Sequence, residues 1–202
     1  MTNNDKVLKT YDQFLSEGHR IFLIGGSDLH QPEQLCQSGT VGPGKSTTVI
    51  WAPKLEASSI VEALKRGYGY VTESPTGPHL TFTVNFQPMG SNINLSETGP
   101  YKVDVFFEVR GAAGDRLVFV TEKGIVLDRR IPVDDWQESY RIHAPLKFLR
   151  AEIVAEESRE MLIRELLDWH RKRPIYNLSQ KLLTSPPRIL RALTNPIFFS
   201  KA

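Results

Sequence analysis

A chain of 202 residues, 40% hydrophobic and 24% charged, has room for one domain or two small ones with a real core. Its formal net charge of +2 is too small to argue for nucleic acid, and no apolar run approaches the roughly 18 residues of a transmembrane helix. The single cysteine, Cys36, excludes an intrachain disulfide and fits a reducing, cytoplasmic setting; residues Met1-Thr2-Asn3-Asn4-Asp5 lack the charged-then-apolar pattern of a signal peptide.

Val7, Leu8, Tyr11, Phe14 and Leu15 recur at helical spacing, with Asn4 or Asp5 to cap the start and Gly18 to stop the helix. His19 reads as a surface residue. The apolar run Ile21-Phe22-Leu23-Ile24 reads as a buried strand, beginning at Arg20 and running into the open turn Gly25-Gly26. Two residues further on stand Asp28 and His30. In extended backbone, alternate residues face the same side. An oxygen and a nitrogen ligand at the end of a strand then suit a divalent ion such as zinc, manganese or iron. The plainer alternative is that Asp28 caps the next turn and His30 lies on the surface.

Residues 31–46 form a polar, Gly- and Pro-bearing loop that could cover a site. Cys36 within it reads as a plain loop thiol, with a ligand role the alternative. Gly39 to Ser46 spells the nucleotide-binding pattern G-x-x-x-x-G-K-[ST]. That loop needs a strand before it and a helix after it. Here Pro32 to Ser38 are polar and Thr47 to Trp51 are β-branched and aromatic, which predicts a strand where the helix belongs. A nucleotide binder remains the third functional alternative, and it requires a helix starting at about Lys45. Lys45 is either a contact for an anionic substrate or a solvated lysine.

A helix is expected at about Ala57 to Arg66, with Ser59 and Glu62 as a capping box and Gly67 as the stop, then a short strand over Tyr68 to Thr72. Thr76-Gly77-Pro78 marks a boundary, dividing the chain into 1–76 and 77–202. From His79 the period becomes two. Leu80, Phe82, Val84 and Phe86 alternate with polar residues, and so do Tyr101, Val103, Val105, Phe107 and Val109. Leu117 to Val120, Ile125 to Leu127, Gln137 to Ile142 and Phe148 to Val154 are further strand candidates between Gly-bearing turns. This spacing predicts an antiparallel β-sandwich. His79 and His143 read as structural, and Trp136 and Tyr140 as core or edge packing. Residues 158–173 return to helical spacing, with Met161, Leu162, Leu166, Leu167 and Trp169 among charges. From Arg159 to Arg191 there are eight Lys/Arg and three Asp/Glu, a local net of +5. This late insertion, about 158–190, reads as a solvated basic face, with a membrane surface or acidic partner the alternative. The apolar end Asn195-Pro196-Ile197-Phe198-Phe199 is expected to dock on the sandwich.

The succession Gly25-Gly26-Ser27-Asp28-Leu29-His30, Gly39 to Lys45, Thr47-Thr48-Val49-Ile50-Trp51-Ala52, Ile60 to Gly67, Tyr70-Val71-Thr72, Gly77-Pro78 and Ala192 to Phe198 resembles the polymerase-and-histidinol-phosphatase (PHP) superfamily of metallohydrolases. The likeness is to its CehA/McbA-like branch. The resemblance covers most of the chain outside about 158–190. It implies an α/β plus all-β chain: a partial PHP-type (β/α) barrel segment over 1–76, then the β-sandwich. It also implies Asp28 and His30 as metal ligands, Ser27 as a turn residue behind them, and Lys45 as a contact for a small-molecule phosphoester. The chain lacks the family's His-x-His, and of its five histidines only His30 falls on a ligand position. The match is therefore to the carboxyl-terminal half of such an enzyme. Two readings follow. One is a metal-dependent hydrolase, or a portion of one, whose divalent ions (zinc, manganese or iron) activate water against a phosphoester. The other is a non-catalytic interaction module. Its open sheet edge would be covered by an amino-terminal half or by self-association.

Overall fold

A computed structural model describes residues 3–27, 44–95, 102–144, 147–156 and 189–200. Two helices and twelve strands account for most of them. The helices are α1 (Asn3–Ser16) and α2 (Ala57–Arg66). The strands are β1 (Thr47–Ile50), β2 (Gly69–Thr72), β3 (His79–Val84), β4 (Gln87–Pro88), β5 (Asn92–Asn94) and β6 (Lys102–Arg110). They continue with β7 (Arg116–Thr121), β8 (Gly124–Arg130), β9 (Asp135–His143), β10 (Phe148–Val154), β11 (Leu190–Thr194) and β12 (Ile197–Ser200).

The strands form an eight-stranded sheet and a four-stranded sheet of order β4-β3-β6-β9. In the larger sheet β10 is central. It pairs with β7 on one edge, and β8 lies beyond β7. On its other edge β10 meets β11 over Glu152–Val154 and β12 over Phe148–Leu149. β11 and β12 are thus two halves of one strand, interrupted at Asn195-Pro196. The first half carries β2 and then β1 on its far side, and the second half carries β5, in parallel.

The alternation expected from the sequence is what closes the sandwich. Leu80, Phe82 and Val84 of β3 and Val103, Val105, Phe107 and Val109 of β6 all face inward. They pack on Leu117 and Phe119 of β7 and on Leu149, Ala151 and Ile153 of β10. Phe107 sits at the centre, edge-on to Trp136 at 4.7 Å and stacked on Tyr140 at 5.8 Å between centroids, the geometry aromatic pairs prefer. His79 opens β3 and His143 closes β9. The chain end does more than dock: Ile197 and Phe199 of β12 enter the sandwich core as strand residues.

The opposite face of the large sheet is also buried. Val118, Val120, Phe148, Val154 and Phe198 meet Tyr11 and Leu15 of α1 there. Leu15 is 1% exposed, and burying such a side chain stabilises by about 1.5–3 kcal/mol. Both helices end as expected, in a left-handed glycine with two closing hydrogen bonds. At Gly18 these run from Gly18 to Leu15 and from His19 to Phe14; at Gly67, from Gly67 to Leu64 and from Tyr68 to Ala63. The start of α2 departs from expectation. Its N-cap is Glu56, without a side-chain cap, rather than a Ser59–Glu62 box.

The partial barrel expected over 1–76 finds no support among the described residues. A (β/α) barrel is built of parallel strands, but β1 and β2 are antiparallel, with Thr47 opposite Thr72, and β2 joins β11 of the sandwich sheet. Residues 73–78 carry the chain from that sheet to the other. Arg20 to Ile24, read as a buried strand, carries no ladder: Ile24 is 74% exposed. The helix expected at 158–173 lies outside the described residues, as does nearly all of the 158–190 insertion; Leu190 already opens β11.

Candidate functional site

The candidate site lies where residues 20–27 cross the outer face of β1, β2 and β11. This extended segment is held by side chains that do the work of a neighbouring strand. The Leu23 N–H donates to Asn195 Oδ1 at 2.6 Å, and Asn195 Nδ2 donates back to the Leu23 carbonyl at 3.4 Å. Two positions on, the Gly25 N–H donates to Thr48 Oγ1 at 2.8 Å, and the same hydroxyl donates to the Gly25 carbonyl at 3.0 Å. Each pair satisfies both polar groups of one residue. Tyr11 adds a third tie, its hydroxyl donating to the Ile21 carbonyl at 3.1 Å; burial pushes this phenol well above its ordinary pKa.

Gly25 has to be glycine. A Cβ there would stand 2.6 Å from Val71 Cγ1 and 3.2 Å from the Ser46 carbonyl, closer than packing allows. The bend can therefore lie flat on the β1–β2 pair, and Gly25 and Gly26, just before the half-buried Ser27, line a cavity of about 330 Å³. Tyr11, Gly26, Ser46, Glu73 and Arg191 are among its lining residues.

The charged group on this cavity is already committed. Arg191 donates to Glu73 Oε1 from Nε at 3.0 Å and from Nη2 at 2.7 Å, and Nη1 donates to Asp115 Oδ2. The hydrogen bond to Glu73 leads the causes that raise its pKa. One guanidinium shared by two carboxylates ties β11 to the residue after β2 and the residue before β7 and is not an anion receptor. It was not singled out in the sequence, because its partners lie 118 and 76 residues away.

Of the expected site residues, Ser27 and Lys45 are described; Asp28, His30 and Cys36 lie outside the described residues. Lys45 is exposed in a turn between Gly44 (φ 83°) and Ser46 (φ 59°). The helix that a nucleotide-binding loop would need from Lys45 onward is instead a turn followed by strand β1. Among the described residues no group of three or more His, Cys, Asp or Glu side chains is placed to hold a metal. Two residues that the sequence reading did not pick out, Thr48 and Asn195, hold the segment that leads to Ser27. Their signal was weak, since Thr48 reads as an ordinary strand residue and Asn195 as part of a turn before proline.

Exposed apolar side chains also gather at this end of the molecule. Ile24, Ile50 and Leu64 line one shallow cleft. Ile24 is 74% and Leu64 38% exposed, with Trp51 beside them at 61%. α2 turns Val61 and Leu64 to solvent and buries only Ala63 fully. Among the described residues β1 is the terminal strand of its sheet. No helix among the described residues is long and apolar enough to cross a membrane. Comparison with models of protein families, with curated proteins and with solved structures finds no match.

Proposed function

We propose that this chain is the β-sandwich portion of a metal-dependent phosphoesterase, and that its apolar end docks against an α/β portion supplying the remaining metal ligands. The observation that carries this reading is the exposure of Trp51, after β1, of Leu64 on α2 and of Ile24 on the segment that leads into Ser27, all beside β1, the terminal strand among the described residues. Exposed apolar side chains gathered next to an open strand edge are the mark of a surface built to be covered. The order of motifs resembling the PHP superfamily supports the same reading.

Asp28 and His30 would hold the metal, and two donors are fewer than a catalytic ion takes, so the docked portion completes the set. A bound divalent ion would lower the pKa of a water and polarise the phosphoryl oxygen. The described residues contribute position. Asn195 and Thr48 fix the backbone of Leu23 and Gly25, so the segment that ends in Ser27 is held against the sandwich. Lys45, at the mouth of the neighbouring turn, would meet the substrate's negative charge. A second reading, an interaction module without catalysis, rests on the same apolar end.

The test is metal content by mass spectrometry, beside an Asp28→Ala/His30→Ala control, with sedimentation of the chain and of an Ile24→Glu/Leu64→Glu variant. Zinc, manganese or iron that disappears in the control supports the metallohydrolase reading. Metal equal in both means that no site forms in this chain alone, which leaves the interaction module or a constellation held by the α/β portion. A dimer abolished by the glutamates would make the occupant a second copy.

A further inference from the structure

A second cavity, of about 580 Å³, lies on the other side of the 20–27 segment, between Arg20 and Phe22, the end of α2 and the turn from β4 to β5. It shares no lining residue with the cavity beside Ser27. Arg20, Lys65 and Arg66 converge on it from two separate stretches of chain, and Gln87 and Ser91 supply neutral donors, while the Asn92 amide on the same wall donates to Ser200 Oγ at 3.0 Å. Among the described residues no carboxylate lines it.

Lys65 and Arg66 stand in the last turn of α2, where cations offset the helix dipole. That role explains these two and not Arg20, which is brought in by the coil after α1. Arg20 is positioned by its contact with Phe198, the guanidinium carbon 4.9 Å from the ring centre. Arg66 is drawn aside by Glu62, with Nε 2.7 Å from Oε1 and both side chains more than half exposed. Arg66 still lines the cavity, but Arg20 and Lys65 are the lining cations not paired with Glu62.

The far wall is preset. The Gly90 N–H donates to the Pro196 carbonyl at 2.8 Å, and the Phe198 N–H donates to the Ser91 carbonyl at 2.8 Å, so the turn is fastened to the sheet. Gly90 (φ 87°) comes so close to the end of α2 that a Cβ would lie 2.0 Å from the Arg66 carbonyl oxygen. Tyr68, half-buried, offers a ring at the cavity's edge.

We infer that this cavity binds a tetrahedral oxyanion, a phosphate monoester of a small organic molecule, through Arg20 and Lys65, with the organic group against Tyr68. Guanidinium and ammonium groups beside neutral amides and hydroxyls are the chemistry that holds phosphate. The site is independent of the metallohydrolase reading, since none of its residues belongs to the Gly25–His30 stretch or to Lys45.

The experiment is calorimetric titration of the full chain at low salt with inorganic phosphate and with phenyl phosphate. Arg20→Ala, Lys65→Ala and, as a control outside the cavity, Lys123→Ala are titrated in parallel. One saturable site is expected, weakened about tenfold by removing either cation and unchanged in Lys123→Ala. Phenyl phosphate binding tighter than phosphate identifies the ester as ligand; equal binding identifies phosphate itself. Thermal melting checks that the variants fold, and Lys65→Ala, on an exposed helix end, decides the matter if Arg20→Ala does not. No saturable binding, or binding unaltered in both variants, overturns the inference.

Discussion

The Arg150 guanidinium on β10 grips the Asp12 carboxylate on α1 through two hydrogen bonds of 2.7 Å, joining residues 138 apart in the chain. Arg150 is 1% exposed and also donates to Glu152, itself 0% exposed. Burial pulls the pKa of this guanidinium down, but the bonds to Asp12 and the charge of Glu152 outweigh it, and the net shift is upward. Removing one partner of a buried ion pair costs about 3–5 kcal/mol, because a charge stays behind in a dry site. Arg150→Met is expected to cost that much. Asp12→Ala should cost less, since Glu152 still faces the guanidinium. Urea unfolding of the two variants checks the order, and equal losses would count against a charge-balanced cluster.

The sandwich was legible because β3, β6 and β9 each have one face in the core, so apolar and polar residues alternate; β7, buried on both faces, reads as a continuous apolar run. β10 was legible only in part. Both its faces are buried, by the second sheet and by α1, and nothing local marks Arg150 and Glu152 as interior. The strand expected at Arg20 to Ile24 was misread for a related reason. Its apolar run signals burial, but Phe22 packs on Phe198 while Ile24 points outward, and its hydrogen bonds go to side chains 23 and 172 residues away. The pairing of β2 with β11 spans about the whole sandwich, and no spacing rule reaches so far. The site residues Ser27 and Lys45 were legible as loop positions; the side chains of Thr48 and Asn195 that place Ser27 were not.

His79 predicts a pH dependence. Its Nδ1 lies 2.8 Å from the Tyr70 hydroxyl. Burial pushes its pKa below the ordinary 6.5, with Glu108 pulling it up and Arg110 pushing it down. The unfolded chain therefore takes up this proton at higher pH than the fold does. Its contribution is intact above 6.5, declines as pH falls from 6.5 toward the lower value of the folded state, and levels off below that. His79→Gln should flatten the fall in urea midpoint between about pH 7 and about pH 5. A variant whose midpoint falls as steeply as the parent's would remove His79 from the account.

Phe86 is expected to be improved by glycine. It stands with Asn85 in the two-residue turn between β3 and β4, both at positive φ (65° and 48°), and is 96% exposed. That turn favours Asn-Gly, and a side chain in the left-handed region costs about 1–2 kcal/mol, against which glycine's extra entropy returns about 0.5–1 kcal/mol. Phe86→Gly should therefore stabilise by about 0.5–1 kcal/mol. A loss of stability would mean that the ring makes a contact worth more than the strain.

Asn195 should control the segment that leads to the candidate site. It is 4% exposed and makes a two-point pair with the Leu23 backbone. Asn195→Ala removes both bonds and leaves the Leu23 N–H without its acceptor, an expected loss of about 1–3 kcal/mol. Asn195→Asp keeps the acceptor for that N–H and gives up the donor to the Leu23 carbonyl, so it should retain part of the stability. Amide exchange separates a local from a global effect. The Leu23 and Gly25 amides are expected to exchange faster in Asn195→Ala, while the Phe107 amide in the sandwich centre slows or quickens only with global stability. Thr48→Val should free Gly25 and spare Leu23, since Thr48 ties only Gly25. If both amides respond equally to both substitutions, the segment moves as one unit and the two ties are not independent supports of the bend before Ser27.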